Sequence, residues 1–317
     1  MSASRAKPAS AADLGRHLLD LDQVSGEQIR SLLASTRRFA QAPASQRFNT
    51  LEGRIVANLF FEVSTRTRLS FTIAARRLGA DVVDLGATGS SVSKGETIAD
   101  TARTVEAMGA EALVVRQSAP GGAQLVAGAV DCAVLNAGDG RHAHPTQGLL
   151  DAYVVAEAHG RLDGFDLTGL RIGIVGDLVN SRVARSDLGA LTKLGAAVVC
   201  VGPPNLAPAS FGALGCDVTA DLDTALPTLD AVQILRVQFE RGAEVGSPNH
   251  YAEHYQLDDR RLGLLKPSAV VLHPGPLNRG VEISSGVADS DRSKILRQVQ
   301  VGVCVRMAAF EACVAAI

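Results

Sequence analysis

The chain of 317 residues has no uninterrupted apolar run near the roughly 18 residues that a membrane span needs. Met1 to Leu14 has no apolar stretch ahead of a small-residue cleavage site, so no secretory leader and no membrane partner are expected, and a cytoplasmic location follows. Neither sign of charge dominates. The 31 Lys and Arg against 33 Asp and Glu are spread along the chain rather than gathered into a stripe, which argues against a nucleic-acid footprint and leaves any anion binding to local sites. Cys132, Cys200, Cys216, Cys304 and Cys313 are odd in number, form no C-x-x-C pair and mostly lie in apolar runs, so they read as small buried hydrophobes. No P-loop occurs. Gly173-Ile174-Val175-Gly176-Asp177 has the outline of a dinucleotide strand-turn, but Gly-x-Gly-x-x-Gly is absent and Asp177 would repel a pyrophosphate. His142 and His144 have no third ligand at suitable spacing, and the arginines nearby oppose a cation. No metal is expected.

What the chain does have is an ordinary globular composition, 46% hydrophobic and 20% charged, at a length that suits two cores better than one. One phrase recurs: Leu78-Gly79-Ala80-Asp81-Val82-Val83, Met108-Gly109-Ala110-Glu111-Ala112-Leu113, Leu194-Gly195-Ala196-Ala197-Val198-Val199. Each is a glycine stop after a helix, followed by the continuous apolar run of a strand buried on both faces. Strands are expected near 54–61, 81–86, 111–116 and 131–136, then 170–176, 197–202, 229–236 and 269–273. Helices between them make the fold class α/β: two domains, each a parallel sheet flanked by helices, joined by bridging helices.

Leu69/Ile73, Ile98/Ala102/Val105, Leu149/Tyr153 and Leu188/Leu191 keep helical spacing and are read as core stripes. The helix from Pro145 falls between the two strand sets and is the expected bridge. The start to about Ala12 is expected to be loose, and 295–317 reads as one unusually apolar helix that packs across a domain.

Ligands of an open parallel sheet collect beyond the carboxyl ends of its strands, and those positions are polar here. Ser64-Thr65-Arg66-Thr67-Arg68 follows the first long strand and opens a helix, placing hydroxyls, free backbone N–H groups and a guanidinium where an anion binds. The same segment also has the form of an ordinary capped helix start, and Arg182 of a solvated one. Arg116, Asn136 to Gln147, Asp177 to Arg182, Arg236-Val237-Gln238 and His273 to Arg279 follow other strands. Several arginines at strand exits imply ligands with several negative charges.

These segments resemble the aspartate/ornithine carbamoyltransferase family from about residue 13 to the end. The likeness is carried by Phe61-Glu62-Val63-Ser64-Thr65-Arg66-Thr67-Arg68, Ser90-Ser91-Val92-Ser93-Lys94-Gly95-Glu96-Thr97, His144-Pro145-Thr146-Gln147, Val175-Gly176-Asp177 with Ser181-Arg182, and Arg236-Val237-Gln238. Lys94-Gly95-Glu96 and Arg236-Val237-Gln238 point to the aspartate branch. Arg116-Gln117 departs from the Arg-His common in the family, and Gly275-Pro276-Leu277-Asn278-Arg279 from the Leu-Pro-Arg of some members.

The resemblance implies transfer of the carbamoyl group of carbamoyl phosphate to L-aspartate, the committed step of pyrimidine synthesis, without metal or organic cofactor. It assigns 13–148 to carbamoyl phosphate and 149–294 to aspartate, with 295–317 packing back on the first. Ser64, Thr65, Arg66, Thr67, Ser90 and Arg116 would hold the phosphate. His144, with Thr67 and Arg66, would donate to the carbonyl oxygen; Gln147, Gly275 and Pro276 would hold the carbamoyl group. Arg182, Arg236, Gln238 and Lys94 would bind aspartate, with Ser90 and Lys94 reaching a neighbouring subunit's site in an obligatory homotrimer. The turn pattern at Gly275 resembles members that assemble with a dihydroorotase-like partner; a regulatory partner chain is the other option. Near several guanidinium groups His144 is expected to stay neutral at pH 7. Two prolines around Gly275 fix either a cis bond or a rigid turn. Carbamoyl phosphate is expected to bind first and aspartate to complete domain closure. The alternatives are a carbamoyltransferase for ornithine or a related amine, and a catalytically silent binding member of the fold.

Overall fold

Helices that stop on glycine and strands that start at once build two parallel sheets in the computed structural model, which describes residues 14–86, 95–238 and 247–314. The first half runs β1 (His17–Leu18), α1 (Gly26–Gln41), β2 (Ile55–Phe60), α2 (Arg66–Arg77), β3 (Asp81–Gly86), α3 (Ile98–Ala107), β4 (Ala110–Gln117), α4 (Gly122–Ala127) and β5 (Ala133–Asp139). After α5 (Pro145–Ala158) come β6 (Arg171–Val175), α6 (Arg182–Lys193), β7 (Ala197–Val201), β8 (Asp217–Thr219), α7 (Leu222–Ala225), β9 (Ala231–Ile234), α8 (Pro248–Tyr255), α9 (Asp259–Leu262), β10 (Val270–Leu272), α10 (Ser285–Ala288) and α11 (Ile295–Val314).

The strand orders are β1-β5-β4-β2-β3 and β10-β9-β6-β7-β8, parallel throughout. In each sheet the chain leaves a central strand, β2 or β6, to one side and later returns to the other, which opens a crevice beyond the strand ends. Gly79, Gly109 and Gly195 take φ of 92°, 101° and 94°, the left-handed stop that the repeated phrase predicts. The expected strands are all present. The additional β1 and β8, two and three residues long, are too short to carry a period of their own.

Alternate residues of β2 serve opposite faces. Val56 and Phe60 join a core that includes α1, α5 and α11, whereas Ala57 and Leu59 join one built with α3 and α4. One stripe reading is corrected. Leu69 and Ile73 are 56% and 40% exposed, and α2 instead buries Phe71, Ala74 and Ala75. Spacing alone cannot choose between two apolar faces of one helix; the bulk of Phe71, edge-on to Phe310 of α11 at 5.8 Å, fixes the rotation.

The helix α5 is buried through Ala156, as a bridge between two sheets must be, and α11 packs beside it and against α1 and α2. The start of α5 lies on α6 so closely that a Cβ on Gly148 would stand 2.4 Å from the Ser186 carbonyl oxygen. Gly148→Ala is therefore expected to cost about 1–3 kcal/mol of stability by overpacking, read as a lower denaturant midpoint at unchanged slope. An unchanged midpoint would contradict this contact.

Candidate active site

The expected anion cradle begins where β2 ends. Thr65 is the N-cap residue of α2, yet its side chain makes no capping hydrogen bond, so the N–H groups of the first turn are not occupied by a side-chain cap. Arg66 is exposed there, and its guanidinium faces Gly275: a Cβ on that glycine would lie 3.5 Å from Arg66 Nε and Cζ. The Gly275–Pro276 bond is cis. His273 orders this turn by accepting the Gly275 N–H at Nδ1 (2.8 Å) while its Nε2 faces Glu282 at 3.2 Å.

Strand pairing sets Phe60 opposite Arg116, so the ends of β2 and β4 share one edge of the crevice. Arg116 donates to the Ala137 carbonyl and to Glu62 Oε1, both at 3.1 Å. Arg182, at the first position of α6 in the other half, donates to the same carboxylate: Nη1 to Oε2 at 3.1 Å and Nη2 to Oε1 at 3.2 Å. It is buried, which removes the solvated helix-start reading. The two guanidinium groups meet over Gly138, where a Cβ would stand 2.9 Å from Arg182 Nε and 3.2 Å from Arg116 Nη1. No side chain fits at that point.

His144 joins this group from the junction of β5 and α5. Its N–H donates to Ser186 Oγ at 2.9 Å, and its ring is buried with Nδ1 lacking a hydrogen-bond partner among the described residues. Burial first, then the positive charges of Arg306, Arg182 and Arg116, hold the imidazole well below its ordinary pKa. The direction of the shift is the one that favours the neutral form expected from the sequence, with desolvation as the larger cause. Gln147, three residues further along the chain in α5, donates from Nε2 to both oxygens of Asp151 at 3.0 and 3.1 Å.

In the second sheet Val175 pairs with Ile234, which sets the exits of β6 and β9 side by side. Arg236 leaves β9 there. Gln238 donates to the Asn180 carbonyl at 3.1 Å, and Asn180 donates to Asp177, so this pair is tied to the Asp177–Arg182 turn. Ser90 and Lys94 lie outside the described residues.

Two members of the constellation were not singled out from the sequence. Glu62 stood inside the first motif, and the signal was a carboxylate in a segment otherwise suited to anions. Arg306 lies buried in α11 with its guanidinium 5.0 Å from the Phe71 ring centroid, and burial pushes its pKa down to about 10. An arginine set in the most apolar stretch of α11, between Val305 and Met307, was its signal.

Residues 16–157 match the family described as aspartate/ornithine carbamoyltransferase, carbamoyl-P binding domain, and residues 168–313 the corresponding Asp/Orn binding domain. The aspartate carbamoyltransferase catalytic subunit of Thermobifida fusca is 49% identical over 92% of this chain and 93% of its own length. That of Myxococcus xanthus is 50% identical over 95% and 100%. Among solved structures, aspartate transcarbamoylase from Trypanosoma cruzi in complex with N-(phosphonacetyl)-L-aspartic acid superimposes with TM-score 0.83 at 30% identity, covering 98% of this chain and 99% of that one. Ornithine carbamoyltransferase from Pyrococcus furiosus does so with TM-score 0.85 at 27% identity over the same shares. With the motifs, the two-sheet fold and the arginine-lined crevice in agreement, the chain belongs to the aspartate/ornithine carbamoyltransferase family.

Proposed function

We propose that the chain transfers the carbamoyl group of carbamoyl phosphate to the amine of L-aspartate, yielding N-carbamoyl-L-aspartate and phosphate. The observation that carries this is the meeting of Arg116, Arg182 and a neutral His144 at one point between the two sheets. Residues 13–148 take carbamoyl phosphate and 149–294 take aspartate. The phosphate rests on Ser64, Thr65, Arg66, Thr67, Ser90 and Arg116, whose N–H groups and cations match its charge. Its carbonyl oxygen receives hydrogen bonds from His144, Thr67 and Arg66, and Gly275 and Pro276 face the carbamoyl group. The aspartate amine attacks the carbonyl carbon. As the C–N bond forms, the carbonyl oxygen gains charge that these donors stabilise; the C–O bond then breaks, its electron pair leaves on phosphate, and the amine proton ends there.

Arg182, Arg236 and Gln238, with Lys94, hold the two carboxylates of aspartate. An ornithine side chain brings an ammonium to the same cations, so charge favours the aspartate branch, as does the name carried by the relatives near 50% identity. Carbamoyl phosphate binds first and aspartate closes the halves together. A homotrimer is supported by apolar side chains uncovered around β3 and α2: Val63 is 87% exposed and Met108 75%, beside Leu69, Ile73 and Val83. Ser90 and Lys94 are proposed to complete a neighbour's site. Cytoplasmic residence, and assembly with a dihydroorotase-like or regulatory chain, belong to the same proposal; no helix among the described residues is long and apolar enough to cross a membrane.

The test is turnover of carbamoyl phosphate with each amine. Carbamoyl aspartate is the expected product, and citrulline alone would overturn the reading. Arg182→Ala is expected to raise the aspartate KM roughly 10- to 100-fold, the loss of a charged hydrogen-bonding partner, with a smaller change for carbamoyl phosphate.

A further inference from the structure

Beneath the anion site lies a carboxylate that touches no substrate in the reaction proposed above. Asp151 is one helical turn past Gln147, buried in the middle of α5. Its Oδ1 accepts from Gln147 Nε2 at 3.0 Å and from Gln298 Nε2 at 2.6 Å. Its Oδ2 accepts from Gln147 Nε2 at 3.1 Å and from Gln233 Nε2 at 2.9 Å. The carboxamides come from α5, α11 and β9, so one side chain ties both bridging helices to the second sheet.

An ionised carboxylate has no proton to give. Each carboxamide must therefore turn its NH2 group toward Asp151 and its carbonyl away. Gln298 shows the result: its Oε1 accepts the His273 N–H at 2.9 Å, and His273 in turn holds the Gly275 N–H. Gln147 is held in the same sense. The end it has left for a ligand is its carbonyl oxygen, an acceptor.

The partner of this hub is Asp187 of α6, whose oxygens meet no hydrogen-bond donor among the described residues. Burial raises its carboxyl well above the ordinary range and the charge on Asp151 raises it further, which favours a proton held between the two carboxyls. Arg306 of α11 supplies the nearby positive charge. Asp151 can then stay ionised in a dry setting, because amide donors, an acid proton and a guanidinium surround it.

We propose that Asp151 is a positioning residue that fixes Gln147 as a hydrogen-bond acceptor, so that the site selects an acyl phosphate whose carbonyl carbon bears an N–H donor, carbamoyl rather than acetyl. This rests on the carbamoyl phosphate reading above. Acetyl phosphate has the same phosphate and carbonyl, but a methyl group where Gln147 would accept.

The test is Asp151→Asn, which conserves volume but replaces one acceptor oxygen with NH2, so that a carboxamide must reverse. At pH 8, the KM for carbamoyl phosphate in the variant is expected to rise roughly 10- to 100-fold, while the competitive inhibition constant of acetyl phosphate stays within about two-fold. A purely structural role would weaken both ligands together, and an equal change in the two constants overturns the proposal. Wild-type protein that fails to turn over carbamoyl phosphate would instead overturn the function on which it rests.

Should the variant not fold, the wild type carries the test. Burial raises the Asp151 carboxyl to about 6, so it takes up a proton as pH falls through that value and one amide loses its acceptor. Asp187 and Arg306 face it from α6 and α11; burial holds the first well above the ordinary carboxyl range, and the second, lowered to about 10, stays charged between pH 8 and pH 5. His144, which caps the start of α5, is held well below its ordinary pKa. The ratio of acetyl to carbamoyl phosphate constants is expected to fall between pH 8 and pH 5. The titration of the shared phosphate group cancels in that ratio, so a constant ratio overturns the proposal.

Discussion

Mixing Arg66→Ala chains with Lys94→Ala chains is expected to restore about a quarter of the wild-type rate, although each variant alone loses roughly three powers of ten. Arg66 stands at the first turn of α2 beside Gly275, where phosphate and carbonyl oxygen are proposed to lie. Lys94 is proposed to arrive from a neighbour. In randomly reassembled trimers, a site is intact when its own chain keeps Arg66 and the adjacent chain keeps Lys94, which happens once in about four pairings. Denaturing and refolding the mixture, followed by a turnover assay, reads this directly. Activity no higher than that of the separate variants would place both residues in one chain.

His144→Ala is expected to lower kcat by about 100- to 1,000-fold with a smaller change in either KM, because the imidazole is proposed to act on charge that develops at the carbonyl oxygen. Its state at rest is equally testable. Burial and the charges of Arg306, Arg182 and Arg116 hold its pKa well below 6.5, so the imidazole resonances should show no titration step from pH 8 to pH 6.5. Stability follows the same sign. In the unfolded chain the ring takes up a proton near its ordinary pKa, whereas in the folded protein it does not. Its contribution is therefore fully present above about pH 6.5 and declines as pH falls toward the folded value. An imidazolium at pH 7 would overturn the neutral resting state assigned here, although not the capacity to donate.

The strand ends and the residues that follow them were legible because buried parallel strands leave continuous apolar runs, and glycine stops mark the helices before them. Most of the cation set was legible for a related reason: Arg66, Arg116, Arg182 and Arg236 sit at strand exits or helix starts, positions that the local pattern fixes. What escaped depended on rotation and on distance in the chain. Leu69 and Ile73 were misread because Phe71 competes for the inward side of α2, and only its contact with Phe310 decides the winner. Glu62 and Arg306 act through partners far along the chain, Arg182 in one case and His144 in the other. Asp151 looked like an ordinary helical residue. Its meaning lies in carboxamides at 147, 233 and 298, which no window along the sequence brings together.

The position of α11 also bears on how the protein is made. This helix lies against α1 and α2, and Arg38 of α1 pairs with Glu311, 273 residues further on. A nascent chain that has left the ribosome through β5 thus has every strand of its first sheet but not the helix that covers one side of it. That surface, including Phe71, stays open until α11 has been made. Products stalled before α11 are then the forms most exposed to aggregation, and loss of the final turns of α11 would be felt first at α1.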